Sequence, residues 1–515
     1  MKSLREMWLA ALSYSPDQVA VVVDDKVRRT YRDVMERAYR FSGALYAHGV
    51  RKSDRVAMLS MNGAEWYDVY AACNTFGFIV CTVNFRLAAP EILFVLQDSG
   101  SKVLVYEEQY SAIVGEIRPR LANIELFICI GKSGESVIDF EEFIASGDKA
   151  GAPTVASPED PAHLIYTSGT TGRPKGVIRS QYAEASNAQA LALFMGMTFG
   201  GSLLLIMPMF HIGALAEAHG QIYCRGTVVL HRTFDPVKVL ETLQREKIEA
   251  THMAPTMVQA FLAAPNIQAY DLSHLRTLCY AAAPMPVSVL KKGIELLGPI
   301  FVDCYGSTEL GAATALHKPF HRIDGAEEET HRLGSVGQAL THSELRIVSD
   351  AGEVCAPNQI GEVCVRSDAA LDYYWNNHNA TMESKVDGWF ITGDMGYLDE
   401  RGFLFLVDRK KDMIISGGEN IYCREVEEAL MEHPGVVDVA VIGVPDDYWG
   451  EAVKAIVVRK PDSSVSADEL IAHCVTLIAR YKRPKSVDFV EALPRLPSGK
   501  VNKVTLREAY RQPVA

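Results

Sequence analysis

The chain has 515 residues, 48% of them hydrophobic and 22% charged, and its 51 Lys and Arg against 64 Asp and Glu leave a net charge of −13. That composition excludes disordered and collagen-like chains, and a length beyond the roughly 250–300 residues at which one core stops growing calls for at least two domains. The acidic balance lacks the basic field that nucleic-acid binding needs, although a few local cations and backbone amides suffice for a nucleotide.

The opening MKSLREMWLAALSY carries an apolar stretch broken by Arg5 and Glu6, too short for the apolar region of a secretory signal. Phe41, Ala44 and Leu45 then repeat at helical spacing before Gly49, a stop signal. Residues 102–106, 127–130, 203–207, 227–231, 277–281 and 299–304 are short, mostly apolar runs of buried-strand type. Helical segments such as 237–245 lie between several of them. This alternation predicts α/β layers around a largely parallel sheet. The longest apolar run, 194–210, contains Gly196, Gly200, Gly201 and Pro208 and falls short of the roughly 20 residues that span a bilayer. It reads as a buried strand with its turns, with no transmembrane segment. The ten cysteines form no CxxC pair and no zinc-spaced cluster, which suits thiols in a reducing compartment and a cytoplasmic protein.

From about Glu344 the pattern changes to short strands at 345–348, 361–366 and 403–407, a small β-rich subdomain. After Asp408 comes the charged string Arg409-Lys410-Lys411-Asp412. Val426, Ala429 and Leu430 then mark an amphipathic helix ending near Pro434. Strands at 437–444 and 452–458 and a helix at 467–480 complete an α/β unit of domain size. The boundary is placed near Lys411, dividing the chain into residues 1–410 and 411–515.

One loop stands out for its chemistry: Tyr166-Thr167-Ser168-Gly169-Thr170-Thr171-Gly172-Arg173-Pro174-Lys175-Gly176, between two apolar runs. Its glycines let main-chain amides converge on an anion, and its hydroxyls add donors around phosphate oxygens. The spacing from Gly169 to Lys175 is not that of the GxxxxGK[ST] loop. The string resembles the phosphate-loop signature of the acyl-adenylate-forming superfamily, which contains acyl-CoA synthetases, amino-acid adenylation domains and firefly luciferase. Further matches follow in the family's order: Tyr305-Gly306-Ser307-Thr308-Glu309, Gly388-Trp389-Phe390-Ile391-Thr392-Gly393-Asp394, the run from Asp408 through Ser416-Gly417-Gly418-Glu419-Asn420, and Pro497-Ser498-Gly499-Lys500.

The resemblance implies an α/β fold: a large N-terminal domain of layered α/β subdomains plus a small β-rich subdomain, then a small mobile α/β C-terminal domain hinged at Lys411. It implies an acyl-CoA synthetase (carboxylic acid–CoA ligase) that uses ATP and Mg²⁺ to make an acyl-adenylate and coenzyme A to accept the acyl group. Lys500, Thr308, Glu309 and His211 would be catalytic, with Glu309 holding the metal. Thr167, Ser168, Gly169, Thr170, Thr171, Gly172 and Lys175 would cradle phosphates. Tyr305 would stack on adenine beside Gly306, Ala282 and Ala283, and Asp394 and Arg409 would bind the ribose. Gly417 and Gly418 also count among the nucleotide-binding residues. Many relatives carry Gly-Gly-Ala-Pro along the adenine; here Ala281-Ala282-Ala283-Pro284 puts methyl groups where they have bare backbone.

His211, Ile212, Gly213, His252, Cys304 and Gly311 would line the acid's pocket. The small residues Gly213, Ala214, Gly311, Ala312 and Ala313 would leave room for a bulky fatty or aryl acid. No Asp occurs between Met207 and Glu217 to bind an amino-acid ammonium, and Leu215 stands where some long-chain enzymes keep a gating Trp. Two alternatives remain: transfer to a carrier-protein phosphopantetheine, and a non-catalytic nucleotide sensor. The partners are then small molecules, an acid with ATP and CoA, and the oligomeric state stays open, a homodimer being one option.

Overall fold

A computed structural model describes residues 1–24, 26–132, 134, 136–167, 174–281, 283, 285–416, 419–446, 448–496 and 499–510. The chain forms two compact units, one of Met1–Leu345 with Val365–Phe390 and one of Arg346–Cys364 with Ile391–Ala515.

The first unit is built on two sheets. One has nine strands, in the order Gln338–Ala339, Gly311–Leu316, Phe301–Ser307, Thr277–Ala281, Ala250–Met253, Ser202–Leu205, Thr227–Leu230, Val19–Val23, Val27–Thr30. Its inner strands are all parallel, and the antiparallel pairs are confined to its two edges. The other has eight, in the order Tyr373–Tyr374, Lys175–Ser180, Pro161–Thr167, Ile79–Thr82, Arg55–Leu59, Val103–Glu107, Leu126–Ile130, Ile138–Asp139. It is parallel except where Lys175–Ser180 turns back on Pro161–Thr167 and takes Tyr373–Tyr374 at its edge.

Side chains alternate across each strand, so a strand covered on both faces feeds two cores. Val21, Leu203, Leu205 and Val228 join a central core that also takes Val56, Val80, Val103 and Val105 from the other sheet. Their neighbours Val22, Leu204 and Val229 face an outer core with the helices Pro236–Arg245 and Pro255–Leu262. Leu59 and Leu104 face another, with Ala89–Asp98. The central layer therefore lies between the sheets. It contains the helices Tyr31–Ala47, Glu65–Phe76, Gln181–Phe194 and Ile212–Tyr223. Covered on every side, Glu65–Phe76 is buried at every position but Glu65, which is why its sequence shows no polar face. The N-terminal helix Leu4–Tyr14 joins the same core. Ser3 caps it by accepting from the Glu6 amide, and Leu4, Met7, Trp8 and Ala11 bury one stripe.

The second unit carries an antiparallel ribbon, Val436–Asp446 on Gly450–Arg459, with Ser486–Phe489 alongside in parallel. Val441, Val453, Ala455 and Val457 pack under Cys423–Met431 and Ala467–Leu477, while Ala440, Ile442 and Ile456 meet Leu493 and Leu506 on the other face. A second ribbon in this unit pairs Trp389–Leu398 with Leu404–Arg409 from Asp394 onward. Lys411 lies in the turn after that ribbon, before Ile414–Ser416. All ten cysteines are free thiols, and among the described residues no helix is long and apolar enough to cross a membrane. The apolar run 194–210 resolves into the end of Gln181–Phe194, a turn, and the strand Ser202–Leu205.

The central layer also buries a polar knot. Arg179 Nε donates to Glu184 Oε1 at 2.6 Å, and both side chains are fully buried. His163 Nδ1 lies 3.3 Å from the same oxygen, and the His163 ring stacks on His219 at 5.5 Å, with Tyr70 edge-on to both. Burial alone would raise the Glu184 pKa, but Arg179 and His163 hold it down to about 2. Burial, with His163 adding, pushes His219 down to about 3.

His219 thus stays neutral in the fold while the unfolded chain takes a proton near pH 6.5. The stability this gives is complete above that pH and is lost as pH falls toward the folded value. The stability advantage of the wild-type protein over His219→Gln, from urea unfolding, should therefore shrink between about pH 6.5 and pH 4.5. A pH-independent difference would show that His219 titrates normally.

Candidate active site

Parallel α/β sheets present their loops at the carboxyl ends of the strands, where ligands bind. In the nine-stranded sheet, Ser202–Leu205 leads to His211, Thr277–Ala281 to Ala283, and Phe301–Ser307 to Thr308 and Glu309. In the eight-stranded sheet, Pro161–Thr167 leads into the Gly/Thr loop and Lys175–Ser180 leads out, with Thr167 paired to Lys175. Ser168, Gly169, Thr170, Thr171 and Gly172 of that loop lie outside the described residues, as do Ala282, Gly417 and Gly418.

The turn at Thr308 and Glu309 is anchored from several sides. Arg179 Nη1 donates to the Thr308 carbonyl at 3.0 Å, tying the turn to the buried knot. The Glu309 carbonyl accepts from the Leu371 amide at 2.5 Å. The Glu309 carboxylate Oε1 accepts from the Tyr374 hydroxyl at 3.1 Å. Lys175 Nζ lies 5.2 Å from the centre of the same Tyr374 ring, within cation–π range. A carboxylate and an ammonium from motifs far apart in sequence thus share one aromatic anchor. Burial, with Glu309 adding, raises the Tyr374 hydroxyl far above its ordinary range, so it remains a donor.

Two glycines bracket the turn for steric reasons. A Cβ on Gly306 would overlap the Gly311 carbonyl. Gly311 has φ +67°, and a Cβ there would sit 2.7 Å from Asn187 Oδ1, which accepts the Ala312 amide at 2.9 Å. The space beside Gly311 is therefore taken by Asn187, which corrects the expectation that this small residue leaves room for a bulky acid. Tyr305 is half-buried, and Cys304, one residue before it, lies across from Ala281.

On the acid side, His211 is the N-cap of Ile212–Tyr223, its ring 4.2 Å from that of Phe210. Gly213 lies in the first turn, and among the described residues outside its own helix the one atom that a Cβ there would meet within 4 Å is His252 Cε1, at 3.8 Å. His252 is buried against Glu217, with Nδ1 2.7 Å from Oε1. Cys304 shares this environment: burial, with Asp303 and Glu217 adding, pushes its thiol far up.

In the second unit, Asp394 and Arg409 are register partners across the ribbon Trp389–Leu398 and Leu404–Arg409, and Arg409 Nε meets Asp394 Oδ1 at 2.6 Å. The two residues expected at the ribose are thus adjacent. Lys500 is exposed on a tight turn in which its carbonyl accepts from the Leu496 amide at 2.8 Å and Gly499 adopts φ +84°.

Sequence reasoning missed Arg179, Asn187 and Tyr374. Arg179 and Asn187 lie just after the loop motif with no signature of their own. Tyr374 had one usable signal, its position in the aromatic triplet Tyr373-Tyr374-Trp375 ahead of the GWFITGD segment.

The family described as AMP-binding enzyme matches residues 10–375, and that described as AMP-binding enzyme C-terminal domain matches 425–500. The long-chain-fatty-acid–CoA ligase FadD13 of Mycobacterium tuberculosis is 35% identical over 516 residues, 99% of each chain. A feruloyl-CoA synthase of Amycolatopsis is 35% identical over 483 residues, 93% of this chain and 94% of that one. The structure of the amide bond synthetase McbA from Marinactinospora thermotolerans superposes with a TM-score of 0.89 at 28% identity, over 98% of this chain and 100% of that one.

Removing one partner of a buried ion pair costs about 3–5 kcal/mol, whereas replacing both by apolar groups is often neutral. Arg179→Ala should lose about that much in urea unfolding. Arg179→Met with Glu184→Leu should recover most of it without restoring the hydrogen bond to Thr308, and so should stay impaired in ATP-dependent pyrophosphate release. Full activity in the double variant would show that the knot does not position the turn.

Proposed function

The chain belongs to the AMP-binding enzyme family, and on that premise we propose that it is an acid–thiol ligase that activates a carboxylic acid with ATP and passes the acyl group to coenzyme A. The acid's carboxylate attacks the α-phosphorus, the bond to the β-phosphate oxygen breaks, and pyrophosphate leaves. The thiol of coenzyme A then attacks the acyl carbon and AMP leaves. The observation that carries this reading is the meeting of Glu309 and Lys175 at Tyr374, which puts the acidic end of one motif and the basic end of another around a single ring.

An anion approaching a polyanion needs positive charge along its path. Lys175 and the loop from Thr167 to Gly172 supply it at the outer phosphates, and Thr308 donates to the α-phosphate. Glu309 is a hard carboxylate donor of the kind Mg²⁺ prefers, already oriented by Tyr374, and the ion when bound would shield the phosphate charge. Tyr305, Gly306, Ala282 and Ala283 are assigned to adenine, Asp394 and Arg409 to the ribose, Gly417 and Gly418 to nucleotide binding, and His211 to the acid's carboxylate. The curated relatives act on a long-chain fatty acid and on ferulate by their names, which puts a fatty or aryl acid first and CoA ahead of a carrier protein. Ten free thiols suit the reducing cytoplasm.

Glu309→Gln keeps the size and hydrogen bond of the side chain but removes its charge. Pyrophosphate release should fall by about 10²-fold or more. A near-normal rate at limiting Mg²⁺ would remove Glu309 from the site.

A flexible ammonium can bridge carboxylate and α-phosphate as charge builds, and this role is assigned to Lys500. Lys411, in the turn after Arg409, is assigned as hinge, and proline would freeze its φ. Lys500→Ala should lose roughly 10²–10³ in adenylation yet convert preformed acyl-adenylate to acyl-CoA near the wild-type rate. Lys411→Pro should do the reverse. Equal losses in both half-reactions for either variant would overturn its assignment.

A further inference from the structure

Glu217 and His252 form a second buried ion pair, at the start of the helix Ile212–Tyr223, one helical turn beyond Gly213. They are 1% and 5% exposed. Burial alone would lower the His252 pKa, but the Glu217 carboxylate, with Asp303 adding, raises it above its ordinary value. One contact, Oε1 to Nδ1, does not satisfy either group. Glu217 Oε2 and both ring nitrogens of His252 are buried with no hydrogen-bond partner among the described residues, Nδ1 meeting Oε1 as an ion-pair contact at 2.7 Å. The helix does not need the pair for its packing, because Ala214, Leu215, Ala216 and Ala218 around Glu217 are buried small or apolar residues. An apolar pair would serve stability as well or better.

The space beside the pair points to its use. Gly213 borders the edge of the His252 ring, and among the described residues an added Cβ would meet no other atom within 4 Å outside its own helix. The free donor and the free acceptor are thus buried in one place, next to a residue without a side chain, among positions expected to line the acid's pocket.

Resting on the ligase reading, we propose that Glu217 and His252 recognise a hydroxyl group on the carbon skeleton of the acid. A hydroxyl can accept from Nε2–H and donate to Oε2 through one oxygen. An acid without it leaves both buried groups unpaired, and sites built to bond a hydroxyl reject the analogue that lacks one. Cys279, in register with His252, brings a third potential metal-ligand atom, the three lying within 4.8 Å of one another. The hydroxyl is favoured over a metal because the Glu217 carboxylate lies 2.7 Å from Nδ1 as its ion-pair partner and because burial, with Cys304 and Glu217 adding, raises the Cys279 thiol well above its ordinary range.

The test uses acids matched in pairs that differ by one hydroxyl: cinnamic and 4-hydroxycinnamic, benzoic and 4-hydroxybenzoic, dodecanoic and 12-hydroxydodecanoic. Their kcat/KM values are read by pyrophosphate release. At least one pair should favour the hydroxylated acid by roughly 10²-fold in the wild-type protein. Glu217→Leu with His252→Leu should collapse that ratio to within about threefold by losing the hydroxylated acid and gaining on its partner. Glu217→Gln, which keeps the shape, should lower the same ratio if the double variant fails to fold. Equal wild-type rates within every pair, or variants in which both members fall together, overturn the proposal and leave the ligase reading standing. One equivalent of zinc in the purified protein that is lost in Cys279→Ser overturns it in favour of a metal site. A wild-type protein that releases no pyrophosphate with any acid overturns both readings.

Discussion

The Arg179–Glu184 ion pair is the interaction on which the candidate site depends. Both side chains are fully buried between two sheets, where an unpaired charge would not be tolerated. The guanidinium has donors to spare after binding its carboxylate, and one of them holds the Thr308 carbonyl. A loop at the surface thereby takes its position from the rigid interior. Asn187 on the same helix as Glu184 and the amide of Leu371 hold the other side of the turn. The turn is therefore fixed before any ligand arrives, as electrostatic catalysis requires.

Topology does the rest of the placement. The strands that lead to His211, Ala283 and Thr308 are parallel, so their carboxyl ends face the same way and their loops collect at one edge. The antiparallel return after Thr308 is made possible by Gly306 and Gly311, which leave no room for a Cβ between them. What reads in the sequence as a catalytic motif is thus half steric requirement: two residues are glycine so that Thr308 and Glu309, among the four between them, can be held in position.

That mixture explains what could be read from sequence. Strands buried on both faces announce themselves as apolar runs, and residues 277–281 coincide with Thr277–Ala281. The amphipathic helices of the second unit were legible for the complementary reason, since one face stays wet. Helices of the central layer, buried all round, have no period to detect, as Glu65–Phe76 illustrates. At the site, motif residues were found because their chemistry is local in sequence. Arg179 and Tyr374 were not, because their roles exist only through partners far along the chain, at Thr308 and Glu309. The reading of Gly311 as open space failed for the same reason: the neighbour that fills the space is Asn187.

The central layer holds two acid–base pairs whose carboxylates stand on the helices Gln181–Phe194 and Ile212–Tyr223, and their surroundings separate their uses. The knot around Arg179 also leaves Arg179 Nη2, Glu184 Oε2 and His163 Nε2 without partners among the described residues. It is closed in, however, by the stacked rings of His163 and His219 and the edge of Tyr70, and Arg179 Nη1 donates to the backbone of the turn. Glu217 and His252 border the bare backbone of Gly213 instead. A buried pair enclosed by protein can only position protein, whereas a pair that faces room for one more oxygen can choose what enters. The same physical device, charge kept in a dry layer, thus serves geometry at one end of the layer and selection at the other.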